Sequence, residues 1–269
     1  MNEKLDHINE QDVREWDLRS KRFGATLRSV LFKGLPDVVN EHLHDWHEKL
    51  VLSWIEEKED LKILDVGCGY GRLSIPVIEK FPKADIKGLD ISENYVRLYQ
   101  ENTHHFAFVG AVENIPDTLG VFDYMICVTV LMYLDARKLK KAISKLVFHL
   151  RKGGELILIE PHRSGILFQT GFGMVTFLRT IMNRDSHGVQ SRYFTSEEMG
   201  KYFCDAGGII LSERRLPVTS FFFLPIVLIG QLLPYSITKK IYRVVSLFDT
   251  WLGRFRFPSI YAAYLVMKS

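Results

Sequence analysis

Three cysteines are all that this 269-residue chain contains, at positions 68, 127 and 204, and no two of them share a metal-like spacing. That excludes a cysteine-bound metal centre, and no metal is expected elsewhere. The expectation is instead of reduced thiols in a cytoplasmic protein. No apolar run reaches the roughly twenty residues that a spanning helix needs. The run from Phe221 to Pro234 is shorter, and Pro225 interrupts it. No lysine- or arginine-rich block stands out, and the net charge is only +3, so charge gives no argument for nucleic acid and no nucleic-acid partner is expected. The polar amino terminus, of mixed charge, predicts no secretory signal. No internal repeat or low-complexity linker is visible.

What is present has an ordinary globular balance, 47% hydrophobic and 25% charged, enough for one large α/β domain with additions. The informative stretch is Leu61 to Arg72, LKILDVGCGYGR. It predicts a buried strand ending on Asp65 and Val66, a turn with Gly67, Gly69 and Gly71 at alternate positions, and then a helix. Glycines serve where the backbone takes φ > 0 or approaches another molecule closely. A helix that starts after such a turn points free N–H groups at whatever lies above it. The stretch therefore predicts a small-molecule cradle at the carboxyl end of a parallel strand. The plain alternative is a strand-to-helix turn with no ligand.

The spacing narrows the ligand. A dinucleotide fingerprint reads G-x-G-x-x-G; here the third glycine comes one residue early and an acid precedes the first. That acid would repel a pyrophosphate and attract an ammonium group, which argues against an oxidoreductase. DVGCGYG resembles the first motif of class I S-adenosylmethionine-dependent methyltransferases. The resemblance implies that the backbone of Gly67, Cys68, Gly69 and Gly71 holds the methionine part of that cofactor, while Asp65 helps to hold its amino group. Asp90 closes the next predicted strand, Asp85 to Leu89, about twenty residues beyond the glycines. There a carboxylate can accept both hydroxyls of a ribose; the alternative is an N-cap for the following helix. Ile91 and Ser92 match the family's start of that helix.

After a third predicted strand, Phe106 to Val109, relatives carry G-D-A-E-x-L-P. This chain has Ala111 where the acid would stand, so the backbone of Val112 or the side chain of Glu113 is expected to read adenine. Val121 to Thr129 predicts the fourth strand, with Cys127 and Val128 passing under the cofactor. It continues into Val130-Leu131-Met132-Tyr133 rather than the N-P-P-Y type of motif of enzymes that methylate amino groups of nucleic acids. This resembles the small-molecule branch, ubiquinone and menaquinone methyltransferases among them. Trp16, Arg19, Lys21, Arg22 and Phe23 are similar to that branch's opening segment, which folds over the cofactor as a lid; the alternative is an amphipathic helix merely packed on the sheet.

The resemblance implies an α/β fold: a Rossmann-like, seven-stranded, mostly parallel sheet, with helices on both faces and the last strand antiparallel. The expected divisions are a helical lid over 1–60, a cofactor-binding core over 61–215 with a substrate cap over 163–191, an apolar and basic insertion over 216–258, and a final core strand over 259–269. Within the first, Leu43, Trp46, Leu50 and Trp54 recur at helical spacing and are expected to face the core. His44 and His47 could share a face and bind metal or act as a base. No third-ligand motif accompanies them, and surface or half-buried helix positions are the plain reading. Arg151 to Gly154 is expected to end a helix with a glycine cap. In the insertion, apolar residues beside Lys239, Lys240 and Arg243 suit a peripheral membrane contact or a lipid-like substrate; a hydrophobic cap or a dimer interface would look the same.

The expected activity is methyl transfer from S-adenosylmethionine to oxygen or carbon of a small, partly apolar or lipid-linked acceptor. The alternatives are protein or peptide methylation, or a cofactor-binding regulator without catalysis. A hydroxyl acceptor needs a base. His162, after the fifth predicted strand, is the first candidate, Tyr133 the second and His47 the third.

Overall fold

A computed structural model describes residues 10–33, 35–163, 192–216, 232–252 and 259–269. Strand β1 (Lys62–Val66) is buried on both faces from Ile63 onward, as a strand flanked by helices on both sides must be. It pairs in parallel with β2 (Asp85–Asp90) on one side and β4 (Phe122–Val128) on the other. Strand β3 (Ala107–Val109) extends the β2 side. On the β4 side lie β5 (Leu150–Pro161), β7 (Tyr261–Lys268) and β6 (Gly208–Leu216), giving the order β3-β2-β1-β4-β5-β7-β6. β7 runs antiparallel to both β5 and β6. The direction of strand addition reverses at β1, and such a switch point opens a crevice at the carboxyl ends of its strands.

Alternation along the strands divides two cores. Ile63, Tyr124, Ile126, Ile157 and Ala263 face a cluster shared with helices α3 (Asp37–Trp54) and α4 (Ser74–Lys80). Leu64, Val66, Met125, Leu156 and Leu158 face α6 (Ala136–His149) and α7 (Ser196–Asp205). Helices α1 (Glu10–Phe23) and α2 (Leu27–Val30) lie beside α5 (Glu93–Thr103), where Tyr95 Oη donates to the Ser29 carbonyl at 2.6 Å. Helix α8 (Tyr235–Leu252), from the 216–258 insertion, packs on α3. The strands thus lie where the sequence predicts them, with the antiparallel last strand.

Several local expectations are corrected. α6 ends without a glycine cap: Leu150 pairs at once with Phe122, the next pair is Tyr124 with Glu155, and residues 151–154 bulge between them. Leu43 of the expected α3 stripe is fully buried, while Trp46, Leu50 and Trp54 pack against the core only partly buried; Val39, His47 and Val51 are the more deeply buried positions, and two histidines of the helix have buried partners. The cap of α5 is Ser92, which accepts from the Tyr95 N–H, leaving the carboxylate of Asp90 at the strand end. The cap at 163–191 and the apolar run 221–234 fall almost wholly outside the described residues.

Candidate active site

A cleft enclosing about 790 Å³ of empty space, part of it open to solvent, lies over the carboxyl ends of β1, β2 and β4. Asp65, Gly67, Cys68, Gly69, Asp90, Ile91, Val112, Val128 and Tyr133, all singled out in the sequence, line it. Gly67, Gly69 and Gly71 take φ of 70°, 54° and 90°, a region that side chains disfavour. At Gly67 a Cβ would also collide with the Val130 side chain, and at Gly71 with that of Thr103, so a larger residue at either bend would be strained and would have to displace its neighbour.

Two carboxylates flank this bend. Asp65 Oδ2 accepts from Ser74 Oγ at 2.7 Å, and Tyr99 Oη donates to that hydroxyl at 3.0 Å. Asp90 Oδ2 accepts from the Gly69 N–H at 2.8 Å and Oδ1 from the Ser92 N–H at 2.9 Å. The second acid therefore ties the glycine turn to β2. Burial pushes each carboxyl up to about 6, against the pull of these hydrogen bonds. The ion pairs of the described residues include neither acid. Two buried carboxylates outside any ion pair suit a ligand that brings a positive charge.

The roof comes from the amino-terminal helices. Trp16 and Val30 line the cleft. Trp16 meets Tyr133 edge-on at 5.3 Å and lies 6.4 Å from Tyr95, and Arg19 sits over its ring. Asp17 accepts from Ser92 Oγ, which pins α1 to the start of α5. At the end of β4, Thr129 takes φ of 57°, an outlier for a β-branched residue. Behind it Glu160 is buried and accepts from the N–H groups of Val130, Leu131 and Met132 at 3.0, 2.7 and 3.2 Å, fixing the loop that carries Tyr133. Burial overcomes these three donors and pushes the Glu160 carboxyl up to about 8.

Five predicted residues do not line the cleft. Gly71 shapes the turn beneath it, and Cys127 is enclosed in β4. Glu113 is buried against Lys138, 3.6 Å away. His162, the first candidate base, contacts Ser196 at 3.2 Å, within a group completed by Glu213 and Arg215. His47 is fully buried and accepts from Arg72. Neither imidazole lines the cleft. Conversely, Arg72, Tyr95, Gly110, Thr129 and Val130 line the cleft without having been singled out. Arg72 stands directly after the third glycine, and that adjacency was the available signal.

A family profile described as a methyltransferase domain matches residues 63–154, which span β1 to the start of β5. This chain carries a class I methyltransferase domain. The cyclopropane synthase MmaA2 of Mycobacterium tuberculosis shares the fold, with a TM-score of 0.66 at 14% identity over 99% of this chain and 100% of that one. Among curated relatives, the ribosomal RNA small subunit methyltransferase C of Buchnera aphidicola is 29% identical over 50% of this chain and 42% of its own. The human tRNA N(3)-cytidine methyltransferase METTL2B is 29% identical over 58% and 45%. The mitochondrial ubiquinone biosynthesis O-methyltransferase of Saccharomyces cerevisiae is 23% identical over 64% and 56%. The chain thus spans about half the length of the curated relatives it matches. The expectation that nucleic acid plays no part is overturned by these relatives, two of which are named for RNA; a low net charge does not separate RNA enzymes from the rest of this class.

S-adenosylmethionine is the methyl donor of this class. The methyltransferase domain fits it: a glycine bend at positive φ and two buried acids outside any ion pair, lining one cleft at the carboxyl ends of the strands.

Proposed function

We propose that this chain transfers a methyl group from S-adenosylmethionine to oxygen or carbon of a small, partly apolar or lipid-linked acceptor. The observation that carries the donor half is the pair of buried acids, Asp65 and Asp90, on either side of the glycine bend. Asp65 would receive the ammonium group and Asp90 the ribose hydroxyls, while Val112 and Ile91 flank the base. The donor supplies an activated methyl on a cationic sulfur that leaves neutral, so the protein's task is alignment. Trp16, Val130 and Tyr133 close the reacting end and exclude water. Burial pushes the Tyr133 phenol up to about 12; it stays protonated at neutral pH and orients an acceptor rather than deprotonating it.

The acceptor half is supported by α8. Thr238, Tyr242 and Asp249 turn inward, whereas Ile237, Val244, Leu247, Phe248 and Trp251 form an exposed apolar stripe. Lys239, Lys240 and Arg243 are exposed on the same helix; helical spacing puts Arg243 and Lys239 beside that stripe and Lys240 within it, and Lys239 also pairs with Glu41. An apolar arc bordered by cations suits the surface of an anionic membrane, and an enzyme held there meets lipid-linked acceptors. No helix among the described residues is long and apolar enough to cross a membrane. A second reading, RNA methylation, is favoured by the names of two relatives.

The test offers the purified protein methyl-labelled S-adenosylmethionine with a lipid extract in vesicles, with total RNA and with total protein. Label in the lipid fraction is the expected result. Label confined to RNA would establish the second reading, and label confined to protein the peptide alternative. Donor binding with no labelled product would leave a non-catalytic binder.

A further inference from the structure

Arg72 is buried at the wall of the cleft, yet it meets no carboxylate at ion-pair distance among the described residues. Its Nη1 donates to Nδ1 of His44 at 3.1 Å and its Nη2 to Nδ1 of His47 at 3.3 Å. Burial and the adjacent guanidinium hold His44 down to about 4 and His47 well below its ordinary range. Both imidazoles are therefore neutral acceptors: they fix the plane of the guanidinium and leave its charge without an ion-pair partner among the described residues. Burying such a charge without a counter-ion is costly. A guanidinium carries five N–H donors, and the two histidines engage only two of them.

The same cleft wall carries Asp65, with Ser74 as its hydrogen-bond donor. Arg72 and Asp65 act on each other through space without forming an ion pair. A fixed cation and a fixed anion, held apart on one wall, are complementary to a zwitterion whose ammonium faces the acid and whose carboxylate faces the arginine. The planar guanidinium suits a carboxylate, which it can engage with two parallel hydrogen bonds. We propose that Arg72, oriented by His44 and His47, receives the α-carboxylate at the amino-acid end of the methyl donor. This assignment rests on the donor reading given above. It gives the α3 histidines a positioning role in place of the base role expected for His47.

The test compares two ligands by calorimetry: S-adenosylhomocysteine, and its decarboxylated form, which keeps the ammonium, sulfur and nucleoside. The wild type is expected to prefer the first by about tenfold to a hundredfold, the scale of a charge-assisted hydrogen-bonded pair, and Arg72→Met to bind the two within about twofold of each other. Arg72→Lys, which keeps the cation and loses the planar fork, is expected to show a reduced preference. A wild type that does not distinguish the ligands, or an Arg72→Met protein that keeps the full preference, would overturn the assignment. Should Arg72→Met fail to fold, Arg72→Lys decides alone: a reduced preference supports the assignment and an unchanged one overturns it. A folded wild type that binds neither ligand would instead sink the donor reading together with this one.

Discussion

At the scale of single residues, the acids do more than their charge suggests. The free protein holds Asp65 and Asp90 near 6, above their values in an unfolded chain. Between about pH 4 and pH 6 the folded state binds more protons than the unfolded one, so these two groups oppose folding increasingly as pH rises through that window. A ligand bearing an ammonium reverses the balance at Asp65 by favouring its carboxylate. The affinity for S-adenosylhomocysteine should be flat above pH 7 and fall below pH 6, by up to about tenfold per pH unit for each acid that must lose a proton. Calorimetry across pH 5 to 8 measures this, and a flat profile would mean that neither acid ionises on binding. Glu160 supplies a second pH signature. Its folded value, about 8, lies above the ordinary carboxylate range, so its contribution to stability declines from about pH 4.5 to about pH 8 and is level beyond. Glu160→Gln should remove that slope from a plot of Tm against pH, and parallel curves for the two proteins would contradict it. The acids and glycines were legible because one short segment and a fixed interval carry them. The Arg72–His44–His47 group was not, since its members meet only after α3 packs against the helix that follows the glycine turn.

At the scale of elements, the sequence predicts strands better than helix faces. An apolar strand between parallel neighbours is buried on both sides, and few other readings suit it. Helix α3 shows the opposite case. Hydrophobic spacing placed its tryptophans inward, but buried partners draw His42 and His47 in and leave the tryptophans half-buried. His42 Nε2 lies 2.8 Å from Asp249 Oδ2, and both side chains are buried, which joins α3 to α8 across more than two hundred residues of sequence. Replacing His42 by Ala leaves the Asp249 carboxylate short of a buried partner, a loss of about 2 kcal/mol. Hydrogen exchange should show α8 opening in that variant while the strands stay protected; uniform loosening of the whole sheet would contradict a local role. The outer face of α8 makes a separate prediction. Leu247→Asp with Phe248→Asp changes residues that are 70% and 55% exposed, so the fold should persist while co-flotation with anionic vesicles is lost. Unchanged flotation would remove the membrane proposal.

At the scale of the whole molecule, the order β3-β2-β1-β4-β5-β7-β6 creates one crevice. The acids on β1 and β2 and the strained Thr129 after β4 all converge on it. The layout was readable from the chain because the glycine bend identifies β1 and the strands after it stand out as short apolar segments between helical ones. The acceptor side was not readable, because the residues that would shape it lie in two insertions without a shared motif. The central claim concerns the donor: two buried acids and a bend of glycines grip S-adenosylmethionine. The most direct measurement is a calorimetric titration of the folded wild type and of the Asp65→Asn and Asp90→Asn proteins with S-adenosylhomocysteine. Saturable binding to the wild type, lost or strongly weakened in each variant with the fold intact by circular dichroism, is the predicted result. A folded wild type that gives no binding heat at any temperature tried, or variants that bind as tightly as the wild type, would contradict it.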